Sequence, residues 1–410
     1  MSARRVVITG LGLATPLGIG VDPFWEGLME GRSGVRPVTG VDLQEMPTTH
    51  YGQLPPIDWD RWLEPKEASL WSGASKLAVV GSMLAAEDAG AGGDWAGPRT
   101  GVLLGTGYGC SYEFEQHYET WFSKGWKKTK PVTVPKIMAN APASHMAMKL
   151  GARGINATIS TACSSGAIAA GLAAQQIRAG LLDACFTGGL DFICNASIVA
   201  AWNTLRVLSR RNDPTASRPF SKDRDGLVFS EGCALLVLEE RGRALARGGT
   251  HLRRGERGRG DQRRDQHRGA RRRGRGGGDP HGARGRGDRH GRGRLRERPR
   301  DEHPPQRRQR DEDAEGGAGR AGAGDPRLQH QGAHRPRDGC RGGDRGGGDG
   351  PRALPPAGAP DPELRPGDPE CDLDYVAEGP RSLPLRYALT NSFGFGGQNS
   401  VLLLASPHGS

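Results

Sequence analysis

A hundred residues in the middle of this 410-residue chain hold almost nothing from which a core is built. Residues 251–350 contain 28 Arg, 26 Gly and three Leu, but no Ser, Thr, Asn, Lys, Val, Ile, Met, Phe, Tyr or Trp. Such a composition cannot bury enough apolar surface to offset the entropy of ordering the backbone, so as written the segment is expected to be disordered. It also carries the chain's basicity: its 28 Arg face 16 acidic residues, whereas the other 310 residues hold 29 Lys plus Arg and 30 Asp plus Glu. A nucleic-acid reading of the net +11 therefore rests on this segment alone. An Arg/Gly-rich RNA-binding linker is one possibility, but linkers of that kind keep Ser, Tyr or Phe among their arginines.

The other reading is a displaced reading frame. Apart from Cys340, every residue type between 251 and 350 has codons that begin with G or C, or for Leu and Arg can do so. That pattern results when the wobble position of a GC-rich gene is read as the first base. Joining the last two bases of each codon to the first base of the next permits Asp-Tyr-Val-Asn-Ala-His-Gly-Thr-Ser-Thr over 294–304. Over 328–337 the same operation permits Ser-Ser-Thr-Lys-Ala-His-Thr-Gly-His. Ordinary coding is lost near His251 and regained near Asp368.

On either side of this segment the sequence is that of an α/β protein, with short apolar β-rich runs alternating with Ala-rich helical stretches. Strands are expected over 5–9, 101–104, 156–160, 184–188 and 234–238, and helices over 75–89 and 165–179. The tail from about Asp368 resumes this character, with strands over 386–390 and 400–405 around a Gly-rich turn. The length suits one large or two ordinary domains. Seven cysteines without CxxC spacing fit a reducing cytoplasm better than a disulfide framework or a metal site. After the basic start Met1-Ser2-Ala3-Arg4-Arg5, the apolar run Val6-Val7-Ile8 is far too short for a signal sequence, and no stretch approaches a membrane span. A cytoplasmic protein without membrane attachment is expected.

Two motifs carry chemistry. Ser160-Thr161-Ala162-Cys163-Ser164-Ser165-Gly166 follows a β-rich run and opens an Ala-rich helix. A cysteine at a helix N-terminus has its thiolate favoured by the dipole and by nearby N–H groups, which makes a nucleophile. The plain alternative is a small buried cysteine at a strand-helix junction. Asn391-Ser392-Phe393-Gly394-Phe395-Gly396-Gly397-Gln398-Asn399 is the second motif, where glycines let backbone pass close to a substrate and present N–H groups to an oxyanion. Alone it could be a structural turn.

With these two motifs, Arg5-Val6-Val7-Ile8-Thr9-Gly10-Leu11-Gly12 at the start and Arg218-Pro219-Phe220-Ser221-Lys222-Asp223-Arg224-Asp225-Gly226 in the middle, the chain resembles the elongating β-ketoacyl-acyl carrier protein synthases of fatty-acid and type II polyketide synthesis. The resemblance covers 1–250 and 368–410. It implies the thiolase-like fold, two αβαβα halves in a five-layer sandwich, here divided as 1–250 and 251–410. It further implies Cys163 as the nucleophile that holds an acyl chain and the backbone N–H groups of Cys163 and Phe395 as the oxyanion hole. Phe395 would be a gate, and Tyr108 in Gly105-Thr106-Gly107-Tyr108-Gly109 would line the acyl channel, a core tyrosine being the alternative. The reaction implied is decarboxylative condensation with malonyl-acyl carrier protein. No cofactor or metal is implied, and the partners are acyl carrier protein and either an identical subunit or a ketosynthase-like paralogue.

The family uses two histidines and a supporting lysine that the written chain lacks. His303 and His334 match by type but do not sit in the family's motifs. In the displaced frame one His codon straddles Pro299 and Arg300 and the other straddles Pro336 and Arg337, in the family's order and spacing. The chain as written is therefore expected to lack condensing activity. A thiolase would carry a second cysteine in its C-terminal glycine motif, an initiating enzyme would have Asn for one His, and a chain-length-factor partner would lack Cys163. The retained cysteine favours the catalytic subunit.

Overall fold

Elements follow one another as β1 (Val6–Thr15), β2 (Gly18–Ile19), α1 (Val21–Met29), β3 (Arg36–Pro37), β4 (His50–Tyr51), α2 (Pro65–Leu70) and α3 (Gly73–Asp88). Next come β5 (Thr100–Gly105), α4 (Ser111–Lys124), α5 (Thr133–Ile137), α6 (Ala141–Leu150), β6 (Asn156–Ile159) and α7 (Ser165–Arg178). The series ends with β7 (Ala184–Asp191), α8 (Ala196–Thr204), β8 (Gly232–Glu240), α9 (Arg241–Ala246), β9 (Tyr387–Phe393) and β10 (Asn399–Ala405). This computed structural model describes residues 4–43, 45–90, 94–249, 370–371 and 373–406, all within one compact unit. The Arg/Gly segment, His303, His334 and the point near Asp368 where ordinary coding is expected to resume lie outside the described residues.

Six strands form one mixed sheet in the order β2-β1-β8-β7-β5-β6. Strands β6 and β7 run parallel to β5, and β8 runs antiparallel to both β7 and β1. Alternation along the strands sends side chains to two separate cores, as a period of two requires. Val102, Leu104, Ala184, Phe186, Leu235 and Val237 pack with α3 and α6. Leu103, Cys185 and Leu238 pack with Ala173 and Ile177 of α7 on the other face. A hairpin of β9 and β10 covers the far side of α7, where Leu402 lies 3.7 Å from the position a Cβ on Gly171 would take. Helix α7 is thus held between two sheets.

Each expected strand and helix is present with ends shifted by no more than three residues, except that β1 runs on to Thr15. Gly10 and Gly12 look like a strand stop in sequence. They are there because α3 lies against them: a Cβ on Gly10 would fall 2.2 Å from the Ala85 carbonyl oxygen, and one on Gly12 would fall 1.9 Å from that of Gly81. The strand continues through residues that leave room for a helix backbone.

Where the N-terminal body ends, Glu239 is completely buried at the end of β8. Its carboxylate accepts from Thr9 Oγ1 at 2.6 Å and from Arg247 Nε at 3.0 Å, with Arg243 at 3.5 Å. Both guanidinium groups lie over the Trp95 ring, Arg247 at 5.1 Å and Arg243 at 5.5 Å from its centroid. A buried carboxylate needs such partners, since a lone one is strongly destabilising. The Arg218 motif is structural in the same sense: its buried guanidinium pairs with Asp223 at 2.8 Å and donates to the Thr215 carbonyl. Phe220 beside it, at φ 66°, stacks 4.5 Å from Tyr375 of the returning chain.

Candidate active site

Because β5, β6 and β7 run parallel, their C-terminal ends open at one edge of the sheet, the edge where α/β proteins place their ligands. Three loops meet there: Thr106-Gly107-Tyr108 after β5, Thr161-Ala162-Cys163 after β6, and Asp191-Phe192 after β7.

Cys163 is exposed, two residues before the first residue of α7. This excludes the reading of a buried structural cysteine. The turn that presents it is over-determined by short-range bonds. Ser165 Oγ accepts from the Thr161 N–H at 2.8 Å and donates to the Ala162 carbonyl at 2.6 Å, while Ser164 Oγ donates to the Thr161 carbonyl at 2.8 Å. Ala162 is held at φ 52°, a left-handed conformation that an alanine adopts only under such constraint. Helix α7 reaches its place because glycines face glycines: a Cβ on Gly105 would lie 2.4 Å from the Gly166 nitrogen, and one on Gly166 would lie 3.3 Å from Gly189.

The C-terminal turn packs directly on this nucleophile turn. A Cβ on Gly394 would lie 2.8 Å from the Thr161 carbonyl oxygen and 3.2 Å from Ser164 Oγ, so the position admits no side chain without displacement. Gly396 and Gly397 then turn the chain at φ 83° and 78°, with the Gly397 N–H donating to the Gly394 carbonyl at 3.1 Å. Two segments more than two hundred residues apart in sequence are thereby brought together.

Tyr108 is half-buried and Phe395 exposed, and a residue that sequence reasoning missed connects them. Trp202 of α8 donates from Nε1 to the Tyr108 hydroxyl at 2.5 Å and stacks on Phe395 with ring centroids 5.7 Å apart. Burial pushes the Tyr108 phenol above its ordinary range, against the Trp202 hydrogen bond that lowers it, and the nearby Asp191 carboxylate adds to the rise. Asp191 was missed as well. It accepts from Thr106 Oγ1 at 2.8 Å, the Gly107 N–H at 3.1 Å and the Tyr108 N–H at 3.0 Å, and burial still raises its carboxyl. The signal available for Asp191 was a charge closing a buried strand; for Trp202 it was one aromatic in a helix of small residues. Among the described residues no group of three or more His, Cys, Asp or Glu could hold a metal ion.

A buried mixed sheet with helices on both faces, presenting an exposed cysteine at the mouth of a helix held between two sheets, is a thiolase-like fold. Residues 3–244 match the family described as Beta-ketoacyl synthase, N-terminal domain, and the chain belongs to the β-ketoacyl synthase family. Among curated relatives, 3-oxoacyl-[acyl-carrier-protein] synthase 2 of Synechocystis sp. is 37% identical over 251 residues, 60% of this chain and 60% of that one. The chloroplastic 3-oxoacyl-[acyl-carrier-protein] synthase I of Arabidopsis thaliana is 34% identical over 251 residues, 60% of this chain and 53% of its own. Among solved structures, the ishigamide ketosynthase/chain length factor superposes with TM-score 0.56 at 32% identity, covering 60% of this chain and 61% of that one. A complex of a type II PKS acyl-carrier protein with its ketosynthase bound to the hexaketide gives TM-score 0.52 at 29% identity, covering 60% of each chain. The chain thus spans about three fifths of the length of the curated relatives it matches.

Proposed function

We propose that this protein forms carbon–carbon bonds by decarboxylative condensation, with Cys163 holding the acyl group. The observation that carries this reading is the exposed Cys163 at the strained mouth of α7 with the Gly394-Phe395 turn packed against it. The Cys163 thiolate attacks the carbonyl carbon of an acyl-acyl carrier protein thioester; the new S–C bond forms, the carrier's S–C bond breaks, and the carrier leaves as a thiolate that takes up the proton Cys163 lost on ionising. Malonyl-acyl carrier protein then loses carbon dioxide, and the resulting enolate carbon bonds to the held acyl carbon. The Cys163 S–C bond breaks, giving 3-oxoacyl-acyl carrier protein and the free thiolate. The N–H groups of Cys163 and Phe395 stabilise the oxyanion in both acyl transfers, Phe395 acts as the gate, and Tyr108 lines the acyl channel.

Acyl carrier protein as partner accords with a similar ketosynthase having been solved in complex with its own carrier. The second subunit is an identical chain or a ketosynthase-like paralogue, and the protein acts in the cytoplasm in fatty-acid or polyketide synthesis. No helix among the described residues is long and apolar enough to cross a membrane. The division into halves at 1–250 and 251–410 belongs to the same reading.

Decarboxylation requires the two histidines that only the displaced frame supplies. That absence favours a second reading, in which the written chain is a non-condensing product or a catalytically silent partner that retains the acyl-accepting cysteine. The test compares the written chain with one in which the frame of 251–367 is restored. Both are incubated with acyl-carrier thioester and then with malonyl-carrier. Intact mass should show one acyl group on Cys163 in each, and 3-oxoacyl product should form only with the restored frame. Failure of both chains to take an acyl group would sink the proposal.

A further inference from the structure

We infer that the outer face of the β9–β10 hairpin is the contact surface of a symmetric dimer, its occupant the same face of a second copy of this chain; this holds whether or not Cys163 accepts an acyl group. Cross-strand pairing defines the face. Tyr387 stands opposite Ala405, Leu389 opposite Leu403, Asn391 opposite Val401 and Phe393 opposite Asn399. Residues two apart on each strand share a side of the sheet, so these four pairs form one surface. Leu402 points the other way, onto α7 at Gly171. In the outward set, Tyr387, Leu389, Phe393, Val401 and Leu403 range from 43% exposed at Leu389 to 63% at Leu403. Five large apolar side chains gathered on one two-stranded ribbon form a patch, unlike the single exposed residues scattered over an ordinary surface.

What covers the patch follows from charge and composition. The 19 residues from Tyr387 to Ala405 include no Asp, Glu, Lys, Arg or His, in a chain of which 25% is charged. A charged partner would lose hydration there and gain no counter-charge. Residues 251–350, with 28 Arg, 16 acidic residues and three Leu, have little to lay on such a face, and residues 351–369 offer two Leu beside seven Pro. A second copy brings an uncharged face of the same pattern. Two such ribbons packed about 10 Å apart would bury on the order of 1,000 Å² in total, the lower limit of a specific interface. Because the inner face lies on α7, one face per chain is free, and pairing closes after two copies.

Sedimentation velocity on the full chain, from about 1 to about 100 μM, should show a monomer–dimer equilibrium with its midpoint in that range. Leu403→Lys and Leu389→Lys each set a charge on the ribbon and should weaken the dimer at least about tenfold. Phe122→Lys, at a 79%-exposed position of α4, should leave the midpoint within about twofold. Raising salt from about 0.1 to about 1 M should not dissociate the dimer, since apolar burial is not screened, whereas association through the Arg/Gly segment would be. Melting temperatures check folding; if Leu389→Lys does not fold, Leu403→Lys decides alone. A chain monomeric throughout, an assembly that grows past two copies, or a dimer that Phe122→Lys or salt dissolves and Leu403→Lys does not, overturns the proposal. Acyl uptake by Cys163 is followed by intact mass in parallel, so failure of the condensing reading leaves this result standing.

Discussion

The two sheets that hold α7 are built on opposite principles. In the six-stranded sheet β5 is buried at every position, sealed by α3 and α6 on one face and α7 on the other. In the hairpin no residue is fully buried: β10 alternates between exposed and half-buried, β9 is half-buried or exposed at every position, and the outer face presents Leu389, Val401 and Leu403 to solvent. Leu389 and Leu403 are direct cross-strand partners, so they form a contiguous apolar stripe. The lesson is a division of labour: the first sheet carries the stability, the second contributes little to it, and the site exists only where the hairpin turn touches the nucleophile turn.

Cys163→Ala should show this most strongly, abolishing acyl uptake by at least about 10³-fold with an unchanged melting temperature. Phe186→Ala, in the doubly covered sheet, should destabilise by about 3–5 kcal/mol in urea unfolding. If it costs no more than a substitution in the hairpin, the division fails. Gly394→Ala inverts the pattern. The added methyl must push the hairpin turn off Thr161 and Ser164, and a displacement near 1 Å should cost about 10²-fold in acylation with little change in unfolding midpoint.

Strand β7 carries the same contrast within itself. Asp183 precedes its N-terminal end, where the Arg99 guanidinium first and Arg4 second hold its carboxyl well below the usual carboxylate range. A carboxylate depressed in the folded state adds stability above its unfolded pKa, and that stability is lost as pH falls through the folded one. Unfolding midpoints from pH 7 down to pH 2 should therefore fall, and Asp183→Asn should remove about 1 kcal/mol of that dependence, a partly exposed pair being screened by solvent. Asp191, at the other end, has the opposite sign: its raised carboxyl works against stability as pH rises through the acidic range and so offsets part of the acid loss, and Asp191→Asn should therefore steepen that loss. The smallest effect is expected for Leu403→Ser, within about 0.5 kcal/mol of the parent, with reduced self-association by light scattering.

Most of this framework is legible in the residues. Strands β5, β6, β7 and β8 declare themselves as apolar runs, and Cys163 stands out because it sits between such a run and an Ala-rich helix. What sequence hides is proximity. Gly10 and Gly12 look like a stop until α3 is seen lying on them. Trp202 is one indole among eight until the fold places its N–H against Tyr108. Asp191 looks like a surface charge until three donors converge on it from the loop after a neighbouring strand. Gly394 is legible as a turn residue, but that its missing side chain is what lets the turn rest on the nucleophile is visible only in three dimensions.

The Glu239 clamp bears on how the chain is made. Arg247, which closes it, precedes by a few residues the start of the Arg/Gly-rich segment at 251. As the polypeptide emerges from the ribosome, Thr9, Arg243 and Arg247, the partners of that buried carboxylate, have been synthesised before the segment is. The N-terminal sheet can therefore shut its last charge away while the segment that follows is still being translated.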